Sequence, residues 1–191
     1  MKVSDFKHEV NRRRASDRAP YAVAMQGPDR SSDAVAAEPQ WLTADEQQAW
    51  VALLGLMIKL PGVLDAQLQR DSELSLFEYF VLSSLSVSPD RTRRMSELAN
   101  IVNGSLSRLS NVVKRLEQRG WVRREPCPGD GRITHAILTD AGWDHLVEAA
   151  PGHVRSVRLV LFDPLSPQEV ETMRTISERI VERMDPQSRW P

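Results

Sequence analysis

The sequence predicts a mainly α-helical fold with one small β-hairpin. Ser/Thr-x-x-Glu patterns, which cap the starts of helices, occur at Thr43, Ser75 and Ser166. Apolar residues recur at helical spacing through most of the chain after Thr43. Only residues 121–138 change this pattern, to two short β-prone runs around a turn rich in proline and glycine.

Length and composition are those of an ordinary globular protein. The 191 residues, 41% hydrophobic and 27% charged, suffice for one domain with its own core. The sequence has no run of about 18 uncharged apolar residues, and no apolar stretch follows the arginines at 12–14. We therefore expect a cytoplasmic protein without a membrane span. Cys127 is the only cysteine and the four histidines do not cluster, so we expect no disulfide, metal or cofactor.

The chain is predicted to consist of a tail and one domain. Residues 1–40 lack sustained periodicity, and we expect a mostly disordered N-terminal tail there. Residues 41–191 are predicted to form a single domain, which begins with a long helix over about 43–70. The apolar stripe of this helix consists of Trp50, Leu53, Leu54, Met57, Leu64 and Leu68.

A shorter helix follows, at residues 76–85. It opens at Ser75 and is apolar almost all round, as expected of a helix in the middle of a core. A loop is predicted at residues 89–92. We expect Ser96 to cap the third helix, because serine is a favoured residue at that position.

Residues 103–120 predict a polar turn followed by a one-sided helix. Asn103 and Gly104 form the turn, Ser105 caps the helix and Gly120 ends it. One side of the helix carries Leu106, Leu109, Val112, Val113 and Leu116, and the other carries Ser107, Arg108, Asn111, Lys114 and Gln118. A helix that buries one face and presents such polar residues on the other can lie in the major groove of DNA.

The charge distribution also favours DNA as the partner. Residues 91–132 contain ten basic and four acidic residues, a formal charge of +6. The rest of the chain carries −7, which gives the whole chain its net charge of −1. A basic region on an otherwise acidic protein is typical of a surface that binds a polyanion.

A β-hairpin is predicted after the one-sided helix. Strands at residues 121–125 and 133–138 flank the turn residues 126–131. A helix-turn-helix followed directly by a hairpin is a winged helix, so residues from about 75 to 139 are predicted to form a DNA-binding lobe.

The last two helices are predicted over about 140–185. Thr139 caps the first of them and Ser166, followed by Pro167, caps the second. These helices and the helix at 43–70 are longer and more apolar than the winged helix needs. We therefore expect them to be dimerisation helices that pack against a second copy.

These motifs resemble the MarR family of bacterial transcription regulators. The family's helix-turn-helix spacing is matched, without a gap, by Leu98-Ala99, Ser105, Leu116-Glu117 and Arg119-Gly120-Trp121-Val122. The wing motif and the entry to the fifth helix are matched by Asp130-Gly131-Arg132 and Leu138-Thr139-Asp140-Ala141-Gly142.

The resemblance covers about residues 42–184. It implies a homodimer that binds a pseudo-palindromic operator, usually to repress nearby genes, and that, as in many members, is released by a small aromatic or other small-molecule effector. Some members of the family sense oxidants through a cysteine in the first helix, whereas Cys127 of this chain lies in the wing.

The chemistry of the side chains predicts which residues contact DNA. Arg108 can pair with guanine and Asn111 with adenine. Ser107 and Ser110 can reach base edges or nearby phosphates. Ser105, at the helix N-terminus, suits a phosphate oxygen because free backbone amides point there.

Further contacts are expected from the basic flanks and the wing. Four cations are expected to bind phosphates: Lys114, Arg115, Arg123 and Arg124. Arg132 is expected to enter a minor groove. Asp130 is expected to pair with an arginine and to fix the shape of the wing.

An effector pocket is predicted from residues on the helices. Its candidates are Trp50, Met57, Tyr79, Phe80 and His145, for which plain core packing is the alternative. Two other functions stay open: a winged-helix protein-interaction module, and a DNA-binding activator without ligand control. We do not expect an enzyme, because the sequence shows no Gly-rich phosphate loop, nucleophile–base pair or metal-ligand set.

Overall fold

The computed structural model describes residues 40–127 and 129–185, so the expected tail lies outside the described residues except for Gln40. Along these residues the chain forms six α-helices and three strands, with a 3-10 turn at Pro89–Arg91 and a π-helical segment at Arg158–Phe162. In order they are α1 (Ala44–Ser72), α2 (Leu76–Ser86), β1 (Thr92–Arg94), α3 (Met95–Ile101), α4 (Leu106–Gln118), β2 (Val122–Cys127), β3 (Asp130–Leu138), α5 (Asp140–Val157) and α6 (Pro167–Met184). The prediction of a mainly helical fold with a small hairpin is confirmed.

Helix α1 crosses the boundary between two compact units, Met1–Lys59 and Leu60–Pro191. It begins with the predicted capping box: the Thr43 amide donates to Glu46 Oε2 at 2.7 Å, and the Glu46 amide donates to Thr43 Oγ1 at 3.3 Å. In the first unit, α1 exposes large apolar side chains at Leu53, Leu56, Met57 and Ile58. Of the described helices, α1 alone is long and apolar enough to cross a membrane, judged by length and composition only.

The second unit contains the hydrophobic core. Helix α2 lies at its centre, as predicted, because Val81, Leu82 and Leu85 are fully buried. Its capping box at Ser75 is present. Asp65 Oδ1 in the second half of α1 also accepts a hydrogen bond from the Leu76 amide at 2.7 Å, which ties the start of α2 to α1.

The segment before α3 differs from the prediction. Helix α3 begins at Met95 after Arg94, without a side-chain cap, so the predicted cap at Ser96 is wrong. Strand β1, partly assigned to a loop from the sequence, pairs antiparallel with β3, with Thr92 opposite Ile137 and Arg94 opposite His135. A Thr-Arg-Arg strand has no apolar alternation, so only its pairing with β3 defines it.

The wing is longer than predicted. Strand β2 extends through Pro126 and Cys127, and β3 begins at Asp130, both inside the predicted turn. The strand order β1-β3-β2 places β2 at an edge of the sheet. Proline is tolerated on an edge strand because its missing amide faces no partner, and the register is irregular between Pro126 and Cys127.

The other predicted helix starts, and the end of α4, are confirmed. Ser105 accepts the Arg108 amide, Thr139 accepts the Gly142 amide, and Ser166 with Glu169 forms a capping box. Gly120 follows α4 with φ +73°, a backbone conformation that favours glycine.

Candidate nucleic-acid interface

Helix α4 has one buried and one exposed face. Its buried face consists of Leu109, Val112, Val113 and Leu116, and the exposed polar side carries Ser107, Arg108, Asn111 and Lys114. The helix begins at Ser105, whose Oγ accepts the Arg108 amide at 3.2 Å and lies 3.2 Å from Ser107 Oγ. Ser110 is half-buried. We call the exposed face, with Ser105, the recognition face.

Arg108 contacts an aromatic ring of α2. Its Cζ lies 4.1 Å from the centroid of the Phe77 ring. The exposed Asn111 and Lys114 have no hydrogen-bond or ion-pair partner for their side chains among the described residues. The recognition face therefore presents polar groups that are available to an outside partner.

Arg115 is already paired within the chain. Its Nε donates to Glu78 Oε1 at 3.2 Å, and the Glu78 side chain is 7% exposed while that of Arg115 is 54% exposed. Burial alone would raise the pKa of Glu78, but hydrogen bonds from Ser75 and from Arg115 outweigh it and lower that pKa below its ordinary value. Arg115 therefore balances a buried carboxylate, whatever else it contacts.

Two wing arginines also have carboxylate partners. The Arg124 amide donates to Glu117 Oε1 at 2.9 Å, and its Nε donates to Glu117 Oε2 at 2.8 Å. These bonds hold β2 against the end of α4. Arg123 forms an ion pair with Glu125 on the same strand. For both arginines, a phosphate would compete with an existing partner.

Asp130 shapes the wing through the backbone. Its Oδ1 accepts the Arg132 amide at 3.0 Å, so its partner is a main-chain group where an arginine side chain was expected. Arg132 is exposed, and its guanidinium has no ion-pair partner among the described residues. The wing thus presents a free cation near its tip.

The predicted effector residues are not gathered at one place in the second unit. The centroids of the Tyr79 ring and of the His153 ring on α5 are 4.3 Å apart. The ring of His145 instead stacks on Trp121 at 3.9 Å, and its Nε2 lies 3.0 Å from the Ser72 carbonyl oxygen. Phe80 is 41% exposed. In the first unit, Trp50 is half-buried and Met57 is 48% exposed.

His153 was missed as a residue of interest. Its side chain is buried, 9% exposed, and its Nδ1 has no partner within the described part of the chain. Burial lowers its pKa below the ordinary value. The signal was available, because the buried face of α5 consists of Gly142, Leu146, Ala149 and His153 at helical spacing. Val147 and Val154, which lie on other positions of the same helix, are exposed.

Comparison with known proteins identifies the family. A sequence model described as the MarR family matches residues 74–134. The solved structure of Sco3205, a MarR family transcriptional regulator from Streptomyces coelicolor in complex with DNA, is 43% identical. The match covers 82% of this chain and 98% of that one, with a TM-score of 0.75. The chain belongs to the MarR family.

Two curated MarR-type relatives agree with this assignment. The HTH-type transcriptional regulator PecS of Dickeya dadantii (strain 3937) is 28% identical over 67% of this chain and 79% of its own length. The transcriptional repressor MprA of Escherichia coli (strain K12) is 26% identical over 56% of this chain, and the match spans 60% of MprA. This MarR-family protein is therefore a winged-helix transcriptional regulator and not an enzyme, as predicted.

Proposed function

We propose that this protein is a cytoplasmic homodimer that binds a pseudo-palindromic operator, represses transcription and is released by a small-molecule effector. The observation that carries DNA binding is the recognition face of α4, whose polar residues are exposed while Leu109, Val112, Val113 and Leu116 on the opposite side are buried; Leu106, expected on that side, is exposed. The DNA complex of Sco3205, 43% identical, supports the same partner for this chain.

Base contacts are proposed for the recognition face. Arg108 can donate two N–H groups to guanine O6 and N7, and Asn111 can pair with adenine. Ser107 and Ser110 lie on the first two turns of α4, within reach of base edges or phosphates. Ser105 caps a helix N-terminus, where backbone amides suit a phosphate oxygen.

Phosphate contacts are proposed in two groups. Lys114 and Arg132 are free to bind directly, Lys114 at a phosphate and Arg132 in a minor groove. The other cations, Arg115, Arg123 and Arg124, already neutralise carboxylates and would share their donors with phosphate.

Dimerisation is proposed from exposed apolar side chains. In the second unit, α6 buries none of its residues and exposes Ile176, Ile180, Val181 and Met184. In the first unit, α1 exposes the four apolar residues named above. A second copy would cover such surfaces and would also account for the apolar character of α1 without a membrane. Sedimentation should give twice the chain mass, and a stable monomer would overturn this part of the proposal.

Release by an effector is proposed from the family assignment. The candidate contacts remain Trp50, Met57, Tyr79, Phe80 and His145. Small aromatic compounds should be screened for the ability to dissociate the bound duplex. A compound that acts on the wild type and fails on Tyr79→Ala would support the site; one that acts equally on both would place it elsewhere.

DNA recognition is tested with Arg108→Ala. The wild-type protein first selects a duplex from a random-sequence pool, and a shuffled duplex of equal composition serves as the control. We expect the substitution to reduce the free energy of binding to the selected duplex by about 1–3 kcal/mol, and that to the shuffled duplex by much less. Equal losses would make Arg108 a phosphate contact, and failure to select any duplex would favour a protein-interaction module.

A further inference from the structure

Phe77 on α2 contacts Arg108 in the first turn of α4. Its ring is half-buried, packs against the core on α2, and carries the Arg108 guanidinium above its face with Cζ 4.1 Å from the ring centroid. The same ring fills the space beside the turn before α4. A Cβ added to Gly104 would lie only 2.8 Å from Phe77 Cζ. Gly104, Phe77 and Arg108 therefore form one packed unit.

Arg108 differs from the other stacked arginines among the described residues. Cζ of Arg91 lies 4.3 Å from the centroid of the Trp143 ring, but Nη1 of the same side chain also donates to Asp140 at 2.9 Å. Arg119 lies 4.9 Å above the Trp121 ring, and its Nη1 donates to the Glu73 carbonyl oxygen at 2.7 Å. The guanidinium of Arg108 has the ring contact but no such acceptor within the described residues.

A guanidinium uses its face and its edge for different contacts. Stacking on a ring occupies the planar face, whereas the five N–H donors lie in the plane and point outward from its edge. Bidentate pairing with guanine requires two of these edge donors. Because Cζ of Arg108 lies over the Phe77 ring and no described residue accepts a hydrogen bond from its guanidinium, its N–H donors are free for a base.

We propose that Phe77 is a positioning residue that holds Arg108 ready to read guanine; this rests on the proposed DNA-binding function. An arginine side chain loses rotational freedom when it is fixed against a base, and this loss opposes binding. The Phe77 ring restricts the side chain before DNA arrives, so less freedom is lost at the moment of binding. Gly104 contributes indirectly, because a side chain there would displace the ring.

The test is a double-mutant cycle between Phe77→Leu and Arg108→Ala, measured on the selected duplex and on its shuffled control. Leucine keeps an apolar side chain in the core but has no aromatic face. We expect Phe77→Leu to weaken binding to the selected duplex about two- to fivefold, with little change on the shuffled one. In the Arg108→Ala background, the effect of Phe77→Leu should disappear.

A second cycle with Lys114→Ala is the matched control. Lys114 lies on the same face without a described aromatic contact, so its effect and that of Phe77→Leu should combine independently. Equal coupling in both cycles, or equal losses on both duplexes, would make Phe77 a structural residue only and overturn the proposal. So would an unchanged affinity of folded Phe77→Leu.

A further substitution covers the case in which Phe77→Leu does not fold. Pentafluorophenylalanine at position 77 retains the ring shape but reverses its charge distribution, which removes the attraction for a cation. We expect the same loss on the selected duplex as for leucine, and unchanged affinity would contradict the proposal. If the wild type selects no duplex at all, the proposed function fails first, so the two failures are distinguishable.

Discussion

Glu78 and Arg115 join the central helix α2 to the recognition helix α4 through an ion pair of 3.2 Å. The carboxylate is buried and also receives the Ser75 amide at 2.9 Å, so it completes the cap of α2 at the same time. One side chain thus fixes the start of one helix and the position of the next. Arg115 is expected to contribute more to the stability of the winged helix than to DNA affinity.

Glu78→Gln should lower the free energy of unfolding by about 1–3 kcal/mol, because it removes charge-assisted hydrogen bonds from a buried site. Since the folded-state pKa of Glu78 is lowered, its contribution is present above the ordinary value of 4.5 and is lost as the pH falls below it. Urea unfolding at several pH values should therefore show that, below about pH 4.5, the free energy of unfolding falls less in the variant than in the wild type. An identical pH dependence would show that Glu78 is not responsible.

Lys114→Ala should weaken binding to selected and shuffled duplexes equally. A lysine that neutralises one phosphate releases about one counterion, so the slope of log affinity against log salt should fall by about one. Lys59→Ala, in the first unit and outside the recognition face, is the control and should leave the slope unchanged. A wild-type slope in Lys114→Ala would rule out the phosphate contact.

Local signals in the sequence predicted most helix boundaries. Thr43, Ser75 and Ser166 cap as predicted because each pattern needs only residues three positions apart. Strand β1 could not be predicted in this way. Its Thr-Arg-Arg sequence becomes a strand only by pairing with β3, some 40 residues later in the chain.

The partners of the charged residues were beyond sequence reasoning. The helical period predicted that Arg108 and Lys114 would be exposed on α4. It could not show that Arg115 pairs with Glu78, 37 residues away, because that contact depends on how α2 and α4 pack. Such contacts decide which cations are free for DNA.

Gly142→Ala should destabilise the fold by about 2–3 kcal/mol. A Cβ at this position would overlap the backbone carbonyl oxygen of Trp121, which itself accepts the Thr139 amide at 3.1 Å and so cannot move freely. Gly62→Ala is the matched control, because it lies in α1 with no atom within 4 Å of the added carbon. That change should stabilise the protein by about 0.5–1 kcal/mol. Urea unfolding should show a lower free energy of unfolding for Gly142→Ala and a higher one for Gly62→Ala. Equal changes in both variants would contradict this.

His153 should make stability fall on mild acidification. Burial beside Tyr79 lowers its folded-state pKa, so the unfolded chain binds a proton more readily. The stability that the buried neutral His153 contributes is present above the ordinary histidine pKa of about 6.5, and it is lost progressively as the pH falls below that value. Unfolding free energies measured from pH 7.5 to 5 should decline in the wild type and decline less in His153→Gln. Tyr79→Phe, which keeps the ring but has no hydroxyl, should retain the wild-type decline, and an equal decline in His153→Gln would assign the effect to another group.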